Sequence, residues 1–328
     1  MPMTTGRSDS IRPSHISPSS SGGPAAPARA GIPAACLFGV VALAAVAAIY
    51  GLVVDDAYRD VPELLRQTWR AQDAVTLATL PVLLGAWRRA REGSFPAHVL
   101  AIGVVTWLAY VYAHLSIGAA FNRMFLVHVA VLALAGFALL DGLVRVDVAA
   151  VGPAFTRAPR RAAAWFFVVA GLGIAGLWLS DIVLGLTGGT PANLGLGGLA
   201  NPTWVLDLAW VIPWSLAAAA MLRRGHPAGP TIAGPLLVML TILSAAMLVT
   251  TPFALSAGLG DDPVVGPQLV VFTVLFAVLG AVEMALLVRS TQRTTSRPRV
   301  WWRPGWWPVD AAPAGRGHAG TEPAAESR

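Results

Sequence analysis

The sequence has 328 residues, of which 55% are hydrophobic and only 12% are charged. Soluble domains average about 25% charged residues, so this composition excludes a cytosolic globular enzyme, a nucleic-acid-binding domain and a disulfide-stapled secreted domain. All 23 basic residues are arginine, and the formal charge is +6. The one cysteine, Cys36, lies in an apolar run, so no disulfide can form within the chain. Such a composition is typical of a polytopic membrane protein.

Two polar tails flank a long apolar region. Residues 1–30 are rich in Ser, Pro and Gly and lack hydrophobic periodicity, which predicts a disordered cytoplasmic tail. Residues 289–328 combine seven arginines with four tryptophans and predict a basic, Trp-rich cytoplasmic tail. This composition suits contact with anionic lipid of the inner leaflet rather than with nucleic acid. Residues 31–288 between the tails form the predicted transmembrane domain.

The transmembrane domain contains eight apolar segments that predict an all-α bundle of about eight membrane-spanning helices. Each is long enough to cross a hydrocarbon core of about 30 Å as a helix. The first is too long for the apolar part of a secretory signal, so we expect it to be retained. The predicted spans cover residues 31–54, 69–87, 97–116, 124–144, 163–186, 204–222, 231–251 and 267–288.

The arginine distribution predicts the orientation of the bundle. With eight spans, nineteen of the 23 arginines lie on the side of the amino terminus. The other side holds only Arg59, Arg66, Arg70 and Arg123. Because cytoplasmic loops carry the excess of basic residues, both termini are predicted to be cytoplasmic. We therefore expect a multi-pass protein of a bacterial cytoplasmic membrane that has the lipid bilayer as its main partner.

The segment before the second span has features of a helix start. Asp60 and Glu63 have the spacing of a capping box, with Pro62 in the tolerated first turn. The pattern predicts a short amphipathic helix on the outer membrane surface, leading into the second span. The alternative is a solvated connector with an ordinary ion pair.

Polar residues inside the spans are the candidate functional groups, because they are costly in a membrane. We predict an outward-facing polar pocket that could bind a small molecule, a cation or a proton. Its members are Gln72, Asp73, Thr76, Asn122 and Asp207. Lower-ranked candidates in the outer halves of the spans are His114, His128 and Asp181. In the structural alternative, Asp73 pairs with Arg70 and Asp207 caps or hydrates a helix end.

Metal and cofactor sites are not predicted. His114 and His128 flank a short hairpin, and imidazole nitrogens bind zinc or haem iron well. Nothing in the sequence fixes a third ligand, so a polar contact between helices is the better interpretation. The chain also lacks a phosphate-binding loop, a GxSxG motif, an HExxH motif and a dinucleotide fingerprint.

Several short motifs carry a resemblance to a known group of proteins. They are Tyr58-Arg59-Asp60 with Pro62, Gln72 to Leu77 with Pro81, Phe121-Asn122 with Phe125-Leu126, and Val205 to Leu208. These stretches resemble an uncharacterised family of bacterial polytopic integral membrane proteins. The chain departs from the family pattern at Ala71, where the family has Gly, and at His114 and His128, where it has aromatic or aliphatic residues. The resemblance implies a helical membrane fold and no activity, and it favours Gln72, Asp73, Asn122 and Asp207.

The function is thus predicted only as a class. The leading interpretation is a transporter-like protein with the outward-facing pocket. One alternative is an intramembrane enzyme acting on a lipid or an exported group at the outer leaflet. Another is a non-catalytic component of a membrane assembly. The sequence indicates neither a substrate nor an oligomeric state.

Overall fold

The computed structural model describes residues 33–146, 148, 157–191 and 200–291. The predicted amino-terminal tail and residues 292–328 of the predicted carboxyl-terminal tail lie outside this part. Within the described residues the chain is all-α and contains no strand. Eight long helices are α1 Ala34–Val53, α2 Glu63–Arg91, α3 Phe95–Gly118, α4 Phe125–Val144, α5 Arg157–Leu186, α6 Pro202–Arg224, α7 Gly229–Ser256 and α8 Val265–Thr291.

Seven of these helices are long and apolar enough to cross a membrane, namely all except α2. The exception follows from the polar Gln72 and Asp73 within α2 together with the charges at both of its ends. Its first two turns carry Glu63, Arg66 and Arg70, and its last turn carries three further arginines. Every predicted span overlaps one of the eight helices, but the helices extend into flanking polar residues that a search for apolar runs leaves out.

Helix α3 lies at the centre of the bundle, and almost all of its residues are buried. It packs against α2, α4, α6 and α7, while α1 packs on α2 and α4, α5 on α6, and α8 on α7. The short connection between α2 and α3 shows how the local sequence reverses the chain direction and starts the next helix. Gly93 takes a positive φ of 95°, and the Oγ of Ser94 then accepts a hydrogen bond from the backbone N–H of Ala97 at 3.4 Å.

Helices α5 and α8 present large apolar side chains on the outside of the bundle. Val169 and Leu172 on α5 are 68% and 57% exposed, and Val271 and Val274 on α8 are 63% and 59% exposed. Such continuous apolar faces suit contact with hydrocarbon rather than with water. The bundle therefore has the polarity of an integral membrane protein.

The predicted capping box before α2 is wrong. Pro62 occupies the N-cap position without a side-chain cap, and Asp60 has a left-handed φ of 61° two residues earlier. The carboxylate of Glu63 instead accepts hydrogen bonds from Arg66 and Gln67 one turn later. As a result, the predicted surface helix is simply the first part of a continuous α2.

Candidate functional site

The two buried aspartates of the predicted pocket lie at one end of the bundle, where α1, α3, α5 and α7 finish and the other four helices begin. We call it the aspartate end. Two hydrogen bonds between loops hold it together. Asn122 Nδ2 donates to the carbonyl of Ala57 at 3.1 Å, and Arg59 donates to the carbonyl of Phe121 at 3.2 Å. These bonds join the α1–α2 loop to the α3–α4 loop.

Asp73 is buried between α2 and the end of α1. Its side chain is 2% exposed, and Oδ2 accepts a hydrogen bond from the hydroxyl of Tyr58 at 2.5 Å. Gly51 lies directly against this pair, since a Cβ at that position would overlap the carboxylate. Arg70 does not pair with Asp73, because its Nη2 donates to the carbonyl of Leu52 at 3.1 Å. The alternative of an Asp73–Arg70 ion pair is therefore wrong.

Aromatic residues surround the Asp73 site. Tyr58 packs edge to face on Trp69 at a ring separation of 5.3 Å, and His128 lies 5.8 Å from the ring of Tyr112. The hydroxyl of Tyr112 donates to the carbonyl of Ala44 on α1 at 3.0 Å. Burial and the neighbouring Asp73 carboxylate raise the pKa of Tyr58 well above its usual value. The phenol therefore stays protonated and able to donate.

The other predicted pocket residues on the Asp73 side are Asn122, Gln72 and Thr76, and they differ in whether their polar atoms are hydrogen-bonded. Asn122 lies in the α3–α4 loop, where its Oδ1 accepts from the backbone N–H of Met124 at 2.8 Å. Gln72 and Thr76 are buried one turn apart on α2, and neither Gln72 Oε1 nor Thr76 Oγ1 has a hydrogen-bond partner in the described part of the chain. Both atoms could accept a bond from water or coordinate a cation.

Asp207 is buried between α3, α5 and α6. It is 7% exposed, and it accepts hydrogen bonds from the Tyr110 hydroxyl at 2.9 Å and from Trp178 Nε1 at 2.8 Å. Asp207 does not cap the helix, since that role belongs to Asn201, which accepts from the N–H of Thr203 at 2.9 Å.

A π-helical turn, Asp207–Val211, begins at this aspartate and positions it. Pro213 follows the turn and has no N–H to donate, so the regular α-helical bonding pattern is interrupted just here. Single π turns inside α-helices are frequent at functional sites. The local sequence thus explains why α6 is irregular beside its buried acid.

The two histidines lie in different surroundings. His114 Nε2 bonds with Thr203 Oγ1 at 2.7 Å and its ring is 5.5 Å from Tyr110, which places it beside the Asp207 site. His128 belongs to the Asp73 side through its contact with Tyr112. Asp181 is buried on α5. Among the described ranges, no three His, Cys, Asp or Glu residues group in a way that could hold a metal ion.

Asp73 and Asp207 share no hydrogen-bonding partner. Tyr110, which donates to Asp207, and Tyr112, which bonds to α1, are two residues apart and so project from nearly opposite sides of α3. Asp73 lies on the α1 side. The structure therefore brings Asp73 together with Tyr58, and Asp207 together with Tyr110 and Trp178, and it places α3 between the two sites.

Two acids and a histidine lie towards the opposite end of the bundle. Asp141 forms an ion pair with Arg145 at 2.7 Å, four residues later on α4. Glu283 is buried and accepts from Ser244 Oγ at 2.9 Å. His98 Nε2 lies 3.0 Å from the carbonyl of Gly142.

An open depression of about 460 Å³ lies at the aspartate end, between the start of α2 and the end of α7. It is lined by Glu63, Arg66, Gln67, Arg70, Phe253, Ser256 and Ala257. A second cavity of only about 20 Å³ lies near the opposite end, with Phe95 and Arg160 in its wall. That volume holds about one water molecule. Of the two, only the depression has room for a ligand.

Four residues at these sites were not predicted as site residues, namely Gly51, Tyr58, Tyr110 and Trp178. Tyr58 belongs to one of the short motifs that carry the family resemblance, but its partner is fifteen residues away across a loop. Gly51 and Trp178 lie within apolar runs, where nothing distinguishes them from packing residues.

In comparisons with protein-family models, curated proteins and solved structures, nothing matches this chain.

Proposed function

We propose that the chain is an integral protein of a bacterial cytoplasmic membrane that crosses the bilayer eight times, with both termini in the cytoplasm. The proposal requires α2 to be a span. In its favour, α2 packs against both α1 and α3, and Asp73 is the only charged residue between Arg70 and Arg88. With α2 included, nineteen of the 23 arginines fall on the cytoplasmic side, and the aspartate end faces outward.

Cysteine labelling on the two sides of α2 tests this topology. In a Cys36→Ala background expressed in a bacterium, we expect Asp60→Cys to react with a membrane-impermeant maleimide in intact cells. Glu92→Cys should react only after the membrane is permeabilised. Both native residues are exposed, so access to the reagent is not limited by burial. Labelling of both cysteines from the same side of the membrane would show that α2 does not cross it.

The proposed activity is transporter-like, with Asp73 and Asp207 as groups that bind a proton or a small cation. The observation that carries it is that both carboxylates are buried and accept hydrogen bonds only from neutral donors. In the described part of the chain, no arginine lies within ion-pair distance of either one. Arg70 acts on Asp73 only from beyond ion-pair distance, and a buried carboxylate without an ion-pair partner is costly, which favours uptake of a proton or a cation.

The depression opens on the Asp73 side, and its net positive lining disfavours a metal cation on this route, which leaves a proton carried by water as the species that would reach Asp73. Arg70 lines it and bonds to Leu52, the residue after the Gly51 that contacts Asp73. Beyond Asp73, the unpaired oxygens of Gln72 and Thr76 lie on the same helix. They would extend the polar path inward for a water molecule.

Ion flux into liposomes tests the activity. The purified protein is reconstituted with a trapped pH indicator, and a potential is imposed with or without a sodium gradient. We expect Asp73→Asn and Asp207→Asn to reduce flux at least about tenfold, because the amide cannot take up a proton or balance a cation. Asp60→Asn is the matched control, since Asp60 is exposed and Asn tolerates its left-handed backbone. Equal flux in all four proteins, or none in any, would contradict the proposal.

Two other functions predict different results. An enzyme acting on a lipid at the outer leaflet would change the lipid composition of the liposomes, as read by mass spectrometry, and would need the same carboxylates as acid and base. A membrane assembly component would show neither flux nor lipid turnover. Membership of the uncharacterised family and contact of the basic tail with anionic lipid stay predictions.

A further inference from the structure

The depression at the aspartate end holds two arginines whose donors are only partly used. Arg66 and Arg70 are four residues apart and so lie on one face of α2. Arg66 bonds through Nη2 to Glu63, and Arg70 bonds through Nη2 to the carbonyl of Leu52. In the described residues, the Nε of each guanidinium is buried without an acceptor, and the hydrogen bonds of both side chains run through Nη2, which leaves Nη1 as the donor open to a ligand.

The charges in the depression do not cancel. Glu63 pairs with Arg66 at 2.7 Å and also accepts from Gln67 Nε2 at 2.6 Å, so its carboxylate is already engaged. Burial acts to raise the pKa of Glu63, but the bonds from Arg66 and Gln67 lower it overall, and Glu63 therefore stays ionised. Arg70 forms no ion pair among the described residues, although its charge acts on Glu63 and on the buried Asp73 from a longer distance. The residues that line the depression, two arginines and one glutamate, carry one net positive charge.

The opposite wall of the depression is formed by the end of α7. The hydroxyl of Ser256 donates to the carbonyl of Phe253, so it is not free to donate to a ligand. Charged donors for a ligand therefore come from the α2 side, where the two guanidinium groups lie. The volume of about 460 Å³ has room for a phosphate that carries a substituent.

We infer that this depression is a binding site for a phosphate-bearing oxyanion, held by Arg66 and Arg70. Paired guanidinium groups suit phosphate because their planar N–H groups match its oxygens. The phosphate could belong to a lipid headgroup or to a free solute, since both offer the same oxygens. The inference concerns anion binding at the surface and does not depend on proton or cation binding at Asp73.

Binding to purified full-length protein in phosphate-free detergent tests the site. Inorganic phosphate is titrated by calorimetry, and retention of phosphatidylglycerol against phosphatidylcholine from nanodiscs is measured by native mass spectrometry. If the wild type binds phosphate or retains phosphatidylglycerol, we expect Arg66→Gln and Arg70→Gln to weaken that binding at least about tenfold. Arg123→Gln is the matched control, because it removes the same charge from an exposed loop at the same end.

A second variant guards against loss of binding by misfolding. Glu63→Gln removes the competing carboxylate and releases Arg66, so it should tighten binding several-fold. Phosphate binding in the calorimeter assigns a solute, and selective retention of phosphatidylglycerol alone assigns a lipid; either supports the site. The inference is overturned if the wild type binds neither, if Arg123→Gln weakens binding as much as Arg70→Gln, or if Glu63→Gln weakens it.

Discussion

Asp73 and Asp207 occupy corresponding positions on either side of α3, yet they are held by different kinds of structure. Asp73 has one hydrogen-bond donor, Tyr58, which lies in the loop between α1 and α2. Asp207 has two donors, Tyr110 and Trp178, and both belong to long helices. One buried aspartate is thus hydrogen-bonded by a loop residue and the other by residues of two helices. A loop can open without breaking a helix, so Asp73 is the acid we expect to exchange more readily with the outside.

The Asp73 site depends on the close approach of its carboxylate to the backbone of α1 at Gly51. Substituting Gly51→Ala should break it, because the new Cβ would overlap the Asp73 carboxylate and the Tyr58 hydroxyl. We expect a loss of about 3 kcal/mol in unfolding free energy, at the upper end for overpacking, measured by thermal unfolding in detergent.

The matched control for Gly51 is another helical glycine. Gly85→Ala on α2 should leave stability unchanged or slightly higher, since nothing lies within 4 Å of the added atom and alanine favours a helix. Equal stability of the Gly51 and Gly85 variants would show that Asp73 does not depend on its approach to α1.

Removing one hydroxyl from each site compares the two donor sets directly. Tyr58→Phe leaves Asp73 without its hydrogen bond, and we expect a loss of about 2 kcal/mol for a buried acceptor left unpaired. Tyr110→Phe should cost only about 1 kcal/mol, because Trp178 still donates to Asp207. Chemical denaturation of both variants in one detergent gives the two values. A larger loss of unfolding free energy for Tyr110→Phe would show that Asp207, and not Asp73, depends more on a single hydroxyl group.

A double-mutant cycle separates the hydrogen bond from the rest of the tyrosine. In an Asp73→Asn background, Tyr58→Phe should cost less than in the wild type, because a neutral amide is cheaper to leave unpaired than a carboxylate. Additive losses would mean that the hydroxyl of Tyr58 does not act through Asp73.

The helices could be predicted from the sequence because they depend on long apolar runs, whereas the two sites depend on contacts between distant segments. The predicted second span starts at residue 69, but α2 begins at Glu63, because the polar turns before the span are helical as well. Asp73 and Asp207 stood out as charges in apolar surroundings. Their partners did not, since an apolar run says nothing about which Trp or Gly faces an acid. Helix α3 separates the two sites because Tyr110 and Tyr112 point in opposite directions. This separation depends on how the helices pack, so it could not be predicted from the sequence.

The smallest effect we predict concerns the loop that carries Tyr58. Asn122 ties this loop to the α3–α4 loop through the carbonyl of Ala57, and it also accepts from the N–H of Met124. Asn122→Ala should cost only about 0.5 kcal/mol globally, since water can replace both bonds at a loop. Hydrogen exchange should nevertheless speed up in residues 54–62, while the amides of α3 around Tyr110 keep their protection. Faster exchange on both sides of α3 would mean that the two aspartates respond as one unit, and the distinction between a loop-built and a helix-built site would fail.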